Sequence, residues 1–269
     1  MPVIPLLFLA TDTYMSGLLN MAAFKRIITA AALAGVLAGL TLTVVQKIQV
    51  SPIILKAEVY EDAAAAAAAS EAAAAHSAAE NAAHEHTHEQ AHEHEHAPDA
   101  WQPADGLERT AFTVLANISL AVGFGLLLGG GLCLRGDTGG WRSGLLWGLA
   151  GYVVFFVAPS LGLPPEVPGT EAAPLADRQS WWLATAVVTA TGLSLLIFTR
   201  NWMFKLLGAL LLIVPHLIGA PQPQVHASAA PAELAQAFIH ATTIANAVFW
   251  LALGGFIGWF YKKLAQSPV

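Results

Sequence analysis

The stretch FKRIITAAALAGVLAGLTLTVV, residues 24–45, decides the fold of this chain. A basic pair, Lys25 and Arg26, is followed by about twenty apolar or small residues that carry no further charge. A helical run of that length matches the thickness of the hydrocarbon layer of a bilayer. The stretch therefore predicts a membrane-spanning helix with a basic pair at one membrane surface.

Five more apolar runs of similar length follow, at about residues 110–134, 143–163, 181–199, 202–220 and 238–261. The composition agrees with this, because 56% of the residues are hydrophobic and only 11% are charged, whereas soluble proteins carry about 25% charged residues. No segment shows a charged face of helical width, which argues against a soluble all-helical protein. We predict an all-α polytopic membrane protein with about six transmembrane helices, embedded in a lipid bilayer.

The runs divide the chain into five parts. We expect a leader, or a start assigned too early, over residues 1–20, because a better start lies at Met21, directly before the basic pair. The first helix would then occupy 21–50, a long outer loop 51–109, the bundle of helices two to six 110–263, and a short tail 264–269. The alanine tract in the outer loop predicts helix in part, since alanine is the best helix former.

Basic residues predict the orientation, because they concentrate on the cytoplasmic side of membrane proteins. Eight lie on one side of the six-helix arrangement, and only Lys47, Lys56, Arg109 and Arg178 lie on the other. Both termini are therefore predicted to be cytoplasmic. Of the acidic residues, only Asp12 and Asp137 fall on that side, which predicts an acidic outer face that attracts cations and excludes nucleic acid as a partner.

A histidine strip, which we define as the segment from His76 to His96, lies in the outer loop. Five of its histidines and Glu80 follow one another at four-residue steps, so they would form a ridge of ligands on a helix. Imidazole binds divalent transition metals such as cobalt, nickel and zinc. We predict metal binding by the histidines of the strip, which are His76, His84, His86, His88, His92, His94 and His96.

No enzymatic activity is predicted, and no residue is assigned as catalytic. The strip contains H-E-x-x-H twice, which is the zinc-protease signature. In a segment that alternates His and Glu, however, such matches arise from composition, and no rigid cleft or third ligand accompanies them. The single cysteine, Cys133, excludes an intrachain disulfide or a Cys-based metal site.

Polar residues at the predicted outer ends of the helices form a second candidate site. His216 follows Pro215 near the end of the fifth run, where the proline leaves the carbonyl of Leu211 without its helical donor. An ionisable residue in a membrane helix is a candidate functional residue. Four more metal-ligating residues lie at similar depth, and a vestibule shared with His216 is our hypothesis: Glu58, Glu61, Glu166 and His240.

Glycines spaced four residues apart occur in four of the runs. Small residues one turn apart let helix backbones approach closely in a membrane. The spacing therefore predicts a compact bundle that is built on these pairs: Gly35/Gly39, Gly125/Gly129, Gly144/Gly148 and Gly254/Gly258.

Five segments resemble the CbtA family of bacterial cobalt transporter subunits, in order and in spacing. They are the first helix with its AEVYE sequence, FFVAPSLGLPPEVPG, RQSWWLATAVVTATGL, PHLIGAPQP and ANAVFWLALGGFIGWFY. The resemblance covers about residues 21–263. Glu58, Tyr60 and Glu61 match the family's EVYE, Glu166 matches its LPPE, and His216 matches its PHLIGAP, whereas His240 matches no family motif.

The resemblance implies an inner-membrane subunit of a Co²⁺ uptake system linked with cobalamin synthesis. It also implies a small single-span partner subunit with a histidine-rich tail, of the CbtB type. Co²⁺ would be the substrate, and no permanently bound cofactor is expected. Two alternatives remain: a metal-binding membrane module without transport, such as a sensor or assembly partner, and a nickel or zinc transporter of the same architecture.

Overall fold

The structure is a computed structural model that describes residues 21–80, 101, 103–136 and 140–266. The described residues form eight α-helices. They are α1 (Met21–Val45), α2 (Ser51–Glu80), α3 (Leu107–Leu134), α4 (Trp141–Tyr152), α5 (Ala158–Ser160), α6 (Leu175–Phe198), α7 (Trp202–Ile218) and α8 (Ala232–Gln266). Single π-helical turns, Gln46–Val50 and Val153–Val157, join α1 to α2 and α4 to α5 without interruption.

The prediction of an all-α polytopic membrane protein is confirmed. Five helical segments of the described chain are long and apolar enough to cross a membrane, namely α1–α2, α3, α4–α5, α6 and α8. The sixth, α7, is apolar but has only 17 residues. The only β pairing among the described residues is an isolated bridge between Thr170 and Ser228, which joins two loops.

The first helix continues much further than its apolar run. Residues 51–80, the first part of the predicted outer loop, continue the first helix as α2. The reason is the alanine tract, whose helix propensity needs no packing partner to favour this conformation. The prediction of partial helix in the tract is thus confirmed as far as Glu80. The expected leader, residues 1–20, and residues 81–100 lie outside the described residues.

The core of the bundle lies around α1, which packs against α3 and α8. Gly35 and Gly39 lie directly against the α3 backbone, so that a Cβ added at Gly39 would stand 2.7 Å from the Cα of Ile118. On the other side of this contact, a Cβ at Gly125 would stand 3.3 Å from the Cα of Ala31. These glycines therefore set the distance between α1 and α3.

A second close contact joins α4 and α8. Gly144 and Gly148 of α4 face Gly254 and Gly258 of α8, and a Cβ at Gly144 would stand 2.9 Å from the Cα of Gly258. All four glycines are buried. The predicted role of the four glycine pairs in helix packing is confirmed.

The remaining two long helices form a pair at the side of this core. The main packing partner of α7 is α6, and α6 also contacts α5 and the π-helical turn before it. The closest approach within the pair is at Gly192 and Gly208, where a Cβ on either residue would come within 2.8 Å of the other residue's carbonyl oxygen. The backbones of α6 and α7 are therefore in close contact at these two glycines.

The two ends of the bundle differ in charge. At one end, which we call the basic end, the Gly140 N–H donates to the Gly258 carbonyl at 2.8 Å, and the Arg26 guanidinium lies over the Tyr261 ring. At the opposite end, which we call the acidic end, the loop 161–174 meets the loop 219–231 through the bridge between Thr170 and Ser228. This end carries Glu58, Glu61 and Glu166.

Candidate functional site

Glu58 lies on α2 at the acidic end and is held by an arginine. Arg109, near the start of α3, donates two hydrogen bonds to the Glu58 carboxylate, one of them from Nη1 to Oε2 at 3.1 Å. The same guanidinium also donates to Asp105 at 3.0 Å. Two parallel bonds between a guanidinium and a carboxylate fix the geometry of both groups. The negative charge of Glu58 is therefore balanced within the protein.

Glu166 forms an ion pair with a second arginine through a single contact. Its Oε2 lies 3.2 Å from Nη2 of Arg178, which is in the first turn of α6. Both side chains are about two-thirds buried, at 29% and 30% exposure. Two of the predicted carboxylate ligands thus have arginine partners, which gives the acidic end two ion pairs.

Glu61 lies next to the loop that carries Glu166. Gly169 in this loop adopts a positive φ of 75° that favours glycine, and a Cβ there would meet the Cβ of Glu61 at 3.1 Å. The glycine therefore lets the loop lie directly against α2. Glu61 is half-buried, and among the described residues it forms no salt bridge.

His216 lies in the last turn of α7, half-buried, against the start of α6. Its ring meets the Trp181 ring edge-on, with 6.3 Å between the centroids. The helix ends two residues later, where Gly219 has a φ of 86° and donates its N–H to the Pro215 carbonyl at 3.1 Å. His240, by contrast, is exposed on the first part of α8.

The structure brings the acidic residues to one end of the bundle but does not assemble a metal site there. Within the described residues, no group of three or more His, Cys, Asp or Glu side chains could hold a metal ion. His76 lies near the end of α2, and the other six histidines of the strip, from His84 to His96, lie outside the described residues. The predicted vestibule shared by carboxylates and His216 therefore remains a hypothesis.

An open groove of about 490 Å³ lies between α2 and the start of α8, also at the acidic end. Tyr60 of the AEVYE sequence lines it, and its walls combine apolar side chains with one basic and one acidic group. The lining residues are Lys56, Val59, Tyr60, Pro231, Glu233 and Leu234.

Comparison with protein families gives one match, and it covers nearly the whole chain. Residues 24–262 match the family described as "Probable cobalt transporter subunit (CbtA)". The chain belongs to the CbtA family. Neither the comparison with curated proteins nor that with solved structures finds a match.

Membership of the CbtA family confirms the predicted family resemblance and makes the chain a probable cobalt transporter subunit. A subunit works with partners, so this CbtA-family chain is one part of a membrane assembly. The family is a transporter family, which agrees with the absence of a predicted catalytic residue.

The two arginines that pair with the predicted carboxylates of this CbtA-family chain were not predicted as site residues. Arg109 and Arg178 pair with Glu58 and Glu166, yet in the sequence they stand out only as exceptions to the bias of basic residues. Their position on the predicted acidic face was the signal that could have identified them. A basic residue on the predicted acidic face is expected to have an acidic partner there, because isolated charge near the membrane is unfavourable.

Proposed function

We propose that this CbtA-family chain is the subunit of a Co²⁺ uptake system that receives the ion outside the inner membrane and passes it into the helix bundle. The match of residues 24–262 to a cobalt transporter family is the observation that carries this proposal. Both termini would be cytoplasmic, so that the acidic end faces the periplasm. A small single-span, histidine-rich subunit of the CbtB type would be its partner.

Capture by the histidine strip is the first step of the proposal. The helix α2 has 30 residues and is about 45 Å long at 1.5 Å per residue. It would carry the strip well outside the membrane surface, where dilute ions are met. Several imidazoles among acidic residues bind divalent cobalt, nickel or zinc.

Transfer to the acidic end is the second step, and it explains the two arginine pairs. Carboxylates without a counter-ion would repel one another and bind any cation. Arg109 and Arg178 supply the positive charge while the site has no substrate, and an arriving dication would compete with them for Glu58 and Glu166. Glu61, which has no such partner among the described residues, would be the first carboxylate to meet the ion.

His216 would take part in the third step, entry into the bundle. It is half-buried at the end of a membrane helix, whereas His226 and His240 are exposed. The membrane potential would favour inward movement, because a dication gains about 4.6 kcal/mol over 100 mV.

Uptake of radiolabelled Co²⁺ by cells that express variants of the full chain tests these steps separately. Replacing the seven histidines of the strip by Gln should reduce uptake at low Co²⁺ and leave it nearly normal at high Co²⁺, because only capture is lost. His216→Gln should reduce uptake at every concentration. His226→Gln is the matched control, since this exposed loop histidine forms a hydrogen bond with Gln222 on its own loop, and uptake should be unchanged.

Two results would contradict the proposal. Equal uptake by the strip variant and the original chain at all concentrations would exclude the strip from capture. Normal uptake by His216→Gln, measured at equal amounts of protein in the membrane, would remove His216 from the path of the ion.

A further inference from the structure

Helix α6 carries three buried polar atoms that have no hydrogen-bond partner in the described protein. They are Nε1 of Trp181, Oγ1 of Thr185 and Oγ1 of Thr189. The two threonines are 0% and 1% exposed. Residues four apart lie on the same face of a helix, so the three groups form one line. Buried polar groups are almost always hydrogen-bonded, so three unpaired groups in one line need an explanation.

The other hydroxyl residues of α6 behave differently. Thr191 donates to the Val187 carbonyl at 2.8 Å, and Ser194 donates to the Ala190 carbonyl at 2.8 Å. Both side chains are exposed towards the membrane, where the only acceptor within reach is their own helix. The hydroxyls in the buried line do not use this local bond. They therefore need other hydrogen-bond partners in the space between the helices.

This line faces α7, as the contacts at its two ends show. At the outer end, Trp181 meets the His216 ring edge-on. One turn beyond the inner end, Gly192 lies against the carbonyl oxygen of Gly208. The two helices run antiparallel, so counting residues from the glycine contact shows which residue of α7 lies opposite each residue of α6. Thr189 lies at about the level of Leu211, three residues from each glycine.

The register places an acceptor opposite the unpaired hydroxyls. Pro215 has no N–H, so the Leu211 carbonyl lacks its usual helical donor. Pro215 is buried, and by the same count it lies at the level of Thr185. The α6–α7 interface thus contains an indole N–H, two hydroxyls and a carbonyl without its helical donor, all within the membrane span.

The chemistry of these groups fits water better than a bound cation. The line mixes donors with acceptors and contains no carboxylate, whereas a cation would need acceptors alone and would be repelled by the indole N–H. Successive groups are separated by about 6 Å along the helix, which is four residues at 1.5 Å. One water molecule that makes two hydrogen bonds of about 2.9 Å spans that distance.

We propose that the α6–α7 interface holds a file of water molecules that reaches from His216 to Thr189 and is closed at the contact between Gly192 and Gly208. The file is a hydrated half-pathway that leads from the acidic end into the membrane. It does not depend on which metal the protein transports. Its closure at the two glycines means that α6 and α7 must separate before anything passes further.

Silver-ion access to single cysteines tests the proposal in the full chain. In a Cys133→Ser background, Ag⁺ is added to intact cells from outside, and thiols left unreacted are labelled after denaturation. T185C and T189C should lose their labelling, because a small aqueous ion reaches them. T191C, which faces lipid, and Leu196→Cys, which lies beyond the glycine contact, should keep theirs. L196C is well placed as a control because the Leu196 side chain packs near Gly208.

Full labelling of T185C and T189C, equal to that of T191C, both in intact cells and in inverted membrane vesicles would show that the interface is dry and overturn the proposal. Loss of labelling at L196C as well would overturn the closure at the glycines. Thermal midpoints of T185V and T189V in detergent give an independent check. Removing a hydroxyl that binds water should lower the midpoint, whereas removing an unpaired hydroxyl from a dry interface should raise it.

Discussion

Replacing Gly144 by alanine should break the tightest helix contact in the bundle. The added Cβ would stand 2.9 Å from the Cα of Gly258 and 3.0 Å from the carbonyl carbon of Gly254, and closer still to that carbonyl oxygen. Optimal contacts between carbon atoms are about 3.5–4.0 Å, so α4 and α8 would have to separate by about 1 Å. A gap of that size forfeits up to half of the dispersion energy of the atoms that line it.

The expected loss of stability is about 3 kcal/mol, at the upper end of the usual range for overpacking, because the neighbours are backbone atoms that cannot rotate away. Gly123→Ala is the matched control. It changes a membrane-helix glycine in the same way, but a Cβ there meets nothing within 4 Å. Alanine should be neutral there or stabilise the helix by up to about 1 kcal/mol.

Reversible unfolding of the purified protein in detergent, followed by circular dichroism, measures both free energies. G144A should unfold at clearly lower denaturant than the original chain, and G123A at the same concentration or higher. Equal stability of the two variants would refute the argument, because it would show that the contact between α4 and α8 does not depend on the missing side chains.

Two further predictions concern polar residues. Asn117 donates hydrogen bonds to Thr43 Oγ1 at 3.0 Å and to Gln46 Oε1 at 2.6 Å. Asn117→Leu should therefore lower the free energy of unfolding by about 1–3 kcal/mol in the same measurement. An unchanged midpoint would show that these bonds are not formed. Arg178→Gln should leave Glu166 without its counter-charge. Co²⁺ binding by the purified chain, measured by calorimetry, should therefore become stronger. Weaker or unchanged binding would show that the arginine does not compete with the ion.

The helices could be predicted from the sequence because their signal is local. Twenty apolar residues without charge specify a membrane helix wherever they lie in the chain. The glycine pairs were equally predictable, since Gly144 and Gly254 each belong to a spacing that permits close packing. The partner of each pair was not predictable, because that depends on which helices become neighbours in the bundle.

The first helix shows the limit of the apolar signal. Its hydrophobic run ends near residue 45, but the helix continues to Glu80 because alanine favours helix without being buried. Hydropathy measures transfer into lipid, whereas helix formation also depends on propensity. The two properties separate at this point of the chain, so hydropathy alone does not predict where the helix ends.

The ion pairs of the acidic end could not be predicted, because they depend on how distant helices align with one another. Glu58 and Arg109 are far apart in the sequence and meet because α3 runs antiparallel to the first helix, as the bond from Lys47 Nζ to Thr110 Oγ1 at 3.1 Å also shows. The sequence placed both residues on the predicted outer side but gave no register between the helices. The unpaired line from Trp181 to Thr189 likewise depends on which helix packs against α6, and that is not encoded in the local sequence.

Uptake of radiolabelled Co²⁺ and Ni²⁺ into cells, with and without this chain and its partner subunit, tests the central proposal most directly. We predict that expression of the chain raises Co²⁺ uptake more than Ni²⁺ uptake when each ion is supplied alone, at a concentration at which capture by the histidine strip does not limit uptake. Uptake of Ni²⁺ or Zn²⁺ in preference to Co²⁺ would contradict the assignment of substrate. Metal binding to the membrane without accumulation inside the cell would contradict transport itself.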